Sequence, residues 1–98
     1  MKVKQLINRN GNPNANQFII TDGNRTIFQS YSSTCAIVEP NKITFGRDWD
    51  YSNTTMKHLY TFLNDYCGVS LNNSKEVRKA IKSGAYHNSV VVYDDELV

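Results

Sequence analysis

Phe18-Ile19-Ile20-Thr21-Asp22-Gly23-Asn24-Arg25-Thr26-Ile27-Phe28 (residues 18–28) is two runs of β-branched and aromatic residues closed by Asp-Gly-Asn-Arg. Asp-Gly between such runs marks a tight hairpin, because the positive φ angles of the turn suit glycine and small polar neighbours. The device recurs downstream. Cys35 and Ile37 alternate, Glu39-Pro40-Asn41 reverses the chain, and Ile43 and Phe45 alternate back. Pro40 fits the second position of a type I turn. Two successive hairpins predict an antiparallel meander within residues 17–46. Such a sheet leaves one face wet and needs a cover for the other.

The cover follows in the sequence. Near residue 52 the apolar period changes from two to 3.6. Ser52-Asn53-Thr54 supplies N-cap candidates. Met56, Leu59, Tyr60, Phe62, Leu63, Tyr66 and Cys67 then occupy one half of a helical wheel, and Gly68 stops the helix. A second helix starts at Asn73, with Glu76 at capping-box spacing, and runs to Gly84 with Val77, Ala80 and Ile81 facing inward. The pattern predicts helices over 54–67 and 74–83.

Outside these elements the signals weaken. Residues 2–8 read as a weak strand with Val3, Gln5 and Ile7 on one face. Residues 8–16 read as an asparagine-rich loop, since Gly11 and Pro13 forbid a helix. Ser89-Val90-Val91-Val92-Tyr93 reads as a last strand at a sheet edge, and residues 94–98 as a frayed acidic tail. The expected fold is α+β, a single domain over residues 1–98 with two short amphipathic helices on one face of a β-meander. Its expected core holds Phe18 or Ile19, Ile27 or Phe28, Ile37, Phe45, Leu59, Leu63 and Ile81.

Composition narrows the function classes. The chain has 98 residues, 40% hydrophobic and 20% charged, with a formal charge of +2. That is an ordinary globular composition. Asp94, Asp95 and Glu96 gather three of the nine acidic groups, so residues 1–93 carry eleven basic against six acidic groups, a net of +5. The field favours polyanions modestly. No apolar run approaches the ~18 residues that span a bilayer. The N-terminus has no apolar signal region, so no membrane partner is expected. Cys35 and Cys67 lie outside any metal or redox spacing and read as reduced, buried thiols.

No motif for catalysis, metal or cofactor binding emerges. His58 and Asp65 stand too far apart on the first helix for a hydrogen bond. Neither cysteine has a basic neighbour to activate it. Asp48 and Asp50 flank Trp49 and read as the run into a helix cap. Two surface patches remain. Arg47, Trp49 and Tyr51 fall within five residues where the sheet meets the first helix, and these are the residue types that dominate interfaces when exposed. Trp49 equally suits the seam between sheet and helix. Lys75, Arg78, Lys79 and Lys82 form one stripe on the second helix, suited to an acidic surface or to phosphates.

Several short motifs occur together. They are Asn10-Gly11-Asn12-Pro13, Ala15-Asn16-Gln17-Phe18, Phe28-Gln29-Ser30-Tyr31, Trp49-Asp50-Tyr51-Ser52 with Thr54-Thr55, and Ile81-Lys82-Ser83-Gly84 with Tyr86. In this order and spacing the chain resembles a family of small phage and mobile-element proteins of low-GC Gram-positive bacteria. The resemblance covers residues 8–86. The chain departs from the family pattern around residues 64–74 and after residue 87. The resemblance implies a setting in the host cytoplasm and supplies no catalytic residues. In that setting small proteins without catalytic motifs often inhibit host defence, CRISPR effectors among them, by occupying a surface of a protein or ribonucleoprotein complex. Two other readings stand beside it: a nucleic-acid-binding accessory protein using the second helix, and a small assembly homo-oligomer such as a homodimer.

Overall fold

The computed structural model describes residues 1–7 and 10–98. The elements are β1 (Lys2–Ile7), β2 (Pro13–Asp22), β3 (Arg25–Ser30), β4 (Ser33–Glu39) and β5 (Lys42–Gly46), then α1 (Asn53–Cys67) and α2 (Ser74–Ser83), then β6 (Ala85–Tyr86) and β7 (Ser89–Asp94). The strands form one sheet in the order β1-β2-β3-β4-β5-β7-β6. The first five pair antiparallel with their chain neighbours, which is the meander, and α1 lies over β3 and β4. The fold is α+β, and among the described residues no helix is long and apolar enough to cross a membrane.

Both helices are bounded by the expected residues. Ser52 caps α1, its side chain accepting from Thr55 N–H, and Gly68 ends it in the left-handed region at φ 65°. At α2, Asn73 Oδ1 accepts from Glu76 N–H at 2.9 Å, and Glu76 Oε1 accepts from Asn73 Nδ2 at 3.0 Å. That is a reciprocal capping box with asparagine in the serine position.

The core lies between the sheet and the helices. Ile19, Phe28, Phe45, Leu59, Phe62, Leu63 and Val77 are all buried. Phe28 stacks on Phe62 with ring centroids 5.5 Å apart. Two core expectations differ. Ile81 is only half-buried, and Val77 and Ala80 supply the inward face of α2. Ile37 is half-buried on the opposite face of the sheet. Phe28 pairs with Ala36 but Gln29 pairs with Thr34, so Cys35 is an extra residue in β4. This bulge shifts the alternation by one. Cys35 and Ala36 are both buried, and Ile37 turns outward. There it joins a row that crosses six strands, Val3–Ile20–Ile27–Ile37–Thr44–Val92.

The chain ends differ further. Val3, Gln5 and Ile7 do share a face, but the exposed one; Leu6 on the other face is fully buried. Of the expected loop over 8–16, residues 8 and 9 lie outside the described residues, and β2 already begins at Pro13. Pairing of Ile7 with Pro13 draws that segment into the sheet, and a strand's first residue tolerates proline. At the other end β7 is not an edge strand. It inserts parallel to β5, pairing Ile43 with Val91, while the two-residue β6 forms the edge beside it. Nor is the acidic tail frayed throughout. Leu97 N–H donates to Asp94 O at 3.2 Å, and Leu97 O accepts from Arg47 N–H at 2.9 Å.

Candidate functional site

The connection from β5 to α1 organises the surface. Trp49 N–H donates to Gly46 O and Tyr51 N–H donates to Asp48 O, each at 3.2 Å, so residues 46–51 form consecutive turns. Of residues 47–51, Trp49 is buried, Asp48 is half-buried and the other three are exposed. Trp49 goes inward, 3% exposed, its ring 6.0 Å from that of Phe45. Arg47 and Tyr51 go outward, Tyr51 at 79% exposure. Trp49 is therefore not a surface contact residue, as its place in the triplet suggested. It fills the seam between sheet and helices, because α2 closes over it.

α2 meets this turn through Arg78. The guanidinium carbon stands 5.3 Å from the centre of the Trp49 ring, and Nη2 donates to Asp50 Oδ2 at 3.3 Å. Cation and ring attract through the ring quadrupole. The two patches read separately in the sequence are thus one surface joined at Arg78. Arg78 spends its guanidinium on contacts within the chain, although its side chain stays 58% exposed. Lys75, Lys79 and Lys82 are exposed, and none makes an ion pair among the described residues. Arg47 Nε donates to Asp48 Oδ1 at 3.4 Å.

On the other side of the same turn is a cavity of about 550 Å³ between the start of α1, the β3–β4 turn and the middle of β2. Asp48, Tyr51, Ser52 and Thr54 form one wall, and Gln17, Ser30 and Tyr31 another. Gln17 and Ser30 are 3% and 5% exposed, yet Gln17 Oε1 and Ser30 Oγ find no hydrogen-bond partner among the described residues. Tyr31 is exposed and sits in the left-handed region at φ 55°, held by its N–H to Asn16 O at 2.7 Å and by Gln29 Nε2 to its carbonyl at 2.7 Å. A non-glycine residue there carries strain. Ser33 Oγ donates to Asp48 Oδ2 at 2.8 Å. The sequence reading passed over Gln17, Ser30 and Tyr31. Only the strand register, which puts Gln17 beside Ser30, brings them together.

Neither cysteine is activated as a nucleophile. Burial pushes the Cys35 thiol up to about 11, opposed by the Ser30 backbone and aided by the Asp48 carboxylate, and burial pushes Cys67 likewise to about 11. Both stay protonated at neutral pH, and both are free. Alkylation of the folded protein at pH 7.5 should therefore leave Cys35 unlabelled over the time that denatured, unreduced protein takes up two labels. A label on folded Cys35, or none after denaturation, contradicts this assignment in intact-mass measurement. Burial, then the neighbouring Lys57, lowers the pKa of His58. No group of three or more histidine, cysteine or acidic residues able to hold a metal occurs among the described residues.

Residues 1–84 match the model of DUF8033, a family of unknown function. No curated protein and no solved structure matches the chain.

Proposed function

We propose that the chain, which belongs to this family of unknown function, acts by binding a macromolecular partner and not by catalysis. The contact is the surface formed by α2 and the β5–α1 turn. One observation carries the reading. Arg78 contacts Asp50 and Trp49 and so ties α2 to the β5–α1 turn, while Lys75, Lys79 and Lys82 are exposed and make no ion pair among the described residues. A helix that presents three exposed lysines, tied to a turn that exposes Arg47 and Tyr51, suits an acidic surface. The cations steer the encounter and the aromatic side chain supplies contact area. The resemblance of the sequence to phage and mobile-element proteins directs the choice of partner toward a host-defence complex, such as a CRISPR effector, in a bacterial cytoplasm.

The lysines support a second reading, contact with the phosphates of a nucleic acid. One pair of measurements separates the two. The protein is used to capture partners from host lysate, identified by mass spectrometry, and its retardation of DNA and RNA is measured across salt. Reversal of Lys79 and Lys82 to Glu should abolish the contact while leaving the circular dichroism unchanged. Capture of one defined complex without retardation of naked nucleic acid supports the first reading. Salt-dependent retardation, lost in the reversal variant, supports the second. A correctly folded reversal variant that keeps its partner at full strength removes this surface from consideration.

A further inference from the structure

The sheet has a second face, which the contact proposed for α2 does not use. Both helices lie on the other side. Phe28 stacks on Phe62 of α1, and Trp49, packed on Phe45, lies under Arg78 of α2. An antiparallel sheet covered on one face commonly turns polar side chains outward on the other. This one does not. The outward row Val3–Ile20–Ile27–Ile37–Thr44–Val92 crosses six strands with one polar member. Phe18, two residues before Ile20 in β2, extends it along the same face. Val3 is 58% exposed, and Phe18, Ile20, Ile27, Ile37 and Val92 are half-buried with no helix above them. A continuous apolar face of this kind marks a contact site.

The charges beside this row say what covers it. Two residues further along each of the four middle strands lies a second outward row, Asp22–Arg25–Glu39–Lys42. Asp22 pairs with Arg25 and Glu39 with Lys42, and Arg25 meets Glu39 one step beyond the Thr26–Val38 pair. The signs alternate from negative to positive, and an alternating row of four is its own complement. A second copy can be turned over the first about a two-fold axis that runs along the strands, midway between β3 and β4. Its charged row then lies over the first in reverse order. Arg25 faces the partner's Glu39, and Asp22 faces the partner's Lys42. The same rotation sets Ile27 on the partner's Ile37 and Val3 on the partner's Val92. An axis across the strands would instead lay the charges over Phe18, Gln29 and Thr34, so the charge pattern selects one of the two stackings. Glu39 and Lys42 make no ion pair among the described residues. Arg25, bonded to Asp22 at 3.2 Å, is 43% exposed and keeps guanidinium donors for a second carboxylate. We infer that the open face of the sheet binds a second copy of this chain in a two-fold, sheet-on-sheet dimer with its axis between β3 and β4. Such an interface is isologous. Six strands about 4.8 Å apart, over about five residues of about 3.3 Å each, offer about 500 Å² per copy and about 1,000 Å² per pair, the lower bound for a specific interface. The dimer therefore dissociates on dilution. The two α2 surfaces point away from each other in it, so this contact and the one proposed for α2 stand or fall separately.

The experiment is analytical ultracentrifugation of the full chain from about 1 µM to about 1 mM, the span over which a weak pair forms. The mass should rise from 11.2 kDa toward twice that value. In methyl spectra over the same series, Ile20, Ile27 and Ile37 should shift with concentration, while Ile19 and Ile43 on the covered face stay fixed. Two variants test the charge match. Arg25→Glu and Glu39→Arg each set like charges face to face across the axis, and each alone should weaken the dimer about tenfold or more. Mixed in equal amounts, the two variants present opposite charges at every such contact and should form a mixed dimer as tight as wild type. A contact within one chain cannot produce that recovery. Circular dichroism checks the fold of each variant. If one of them does not fold, Ile27→Glu, which puts a charge beside the axis, should be monomeric at about 1 mM. The methyl shifts need no variant. A wild-type mass of 11.2 kDa throughout the series overturns the inference. So does a dimer in which the Ile20, Ile27 and Ile37 methyls do not move, a dimer that the folded variants keep at full strength, or a mixture no tighter than either variant alone.

Discussion

Trp49→Ala should cost about 3–5 kcal/mol of stability, the range for truncating a buried aromatic. The ring is 3% exposed, packs on Phe45 and underlies Arg78, so alanine leaves a cavity where three elements meet. For a domain of this size the midpoint should fall by at least about 12 °C. Trp49→Phe keeps an aromatic face toward both Phe45 and Arg78 and should recover most of the loss. Thermal melts of the two variants read the outcome. A Trp49→Ala protein as stable as wild type means that the ring is free, and the assignment of Arg47, Trp49 and Tyr51 to one exposed patch is restored. The distinction matters for binding assays. Loss of a partner on Trp49→Ala reports unfolding of the surface, whereas loss on Tyr51→Ala at constant melting temperature reports contact.

Gly46→Ala should be nearly as damaging, although it adds one carbon. A Cβ at Gly46 would run into the carbonyl oxygen of Thr34 and stand 2.9 Å from that of Leu97. Both obstacles are backbone, so no side-chain rotation relieves them. Either β4 or the turn after β7 must move, and the expected cost is at the upper end of overpacking, about 3 kcal/mol. The second route breaks the Arg47 N–H to Leu97 O bond, so the Arg47 amide should lose its protection from hydrogen exchange. A melting point within about 2 °C of wild type, well under 1 kcal/mol for a chain this long, means that the close approach is not there.

What the sequence made legible was local. Asp22-Gly23 marked the first hairpin because turn geometry depends on neighbours in the chain. Ser52, Gly68, Asn73 with Glu76, and Gly84 marked the helix ends for the same reason. The losses came where the deciding partner is distant. The bulge at Cys35 depends on how Phe28 and Gln29 sit across the strand gap, and nothing in Thr34-Cys35-Ala36 announces it. Pro13 looked like a loop residue until its pairing with Ile7. The Ser89–Asp94 segment was a strand on composition alone, but its parallel seat against β5 links residues nearly fifty apart in the chain. At the site, the cations of α2 were legible as a stripe. The link from Arg78 to Asp50 was not, because it joins residues 28 apart. Gln17 and Ser30 are unremarkable polar residues in sequence, and their burial side by side exists only in the folded molecule.

The insertion of β7 between β5 and β6 has a consequence for biosynthesis. The ribosome delivers the meander first, and β1 to β5 can pair as they emerge. The outer edge of Lys42–Gly46 then waits for 48 further residues, through Asp94, before its partner exists. At ~5–20 residues per second that is an interval of seconds. During it the nascent chain displays a bare strand edge bearing Ile43, Thr44 and Phe45, a template on which two unfinished chains can join. Lys42 and Arg47 bracket that edge, and their like charges would oppose its pairing with a second copy until β7 is made.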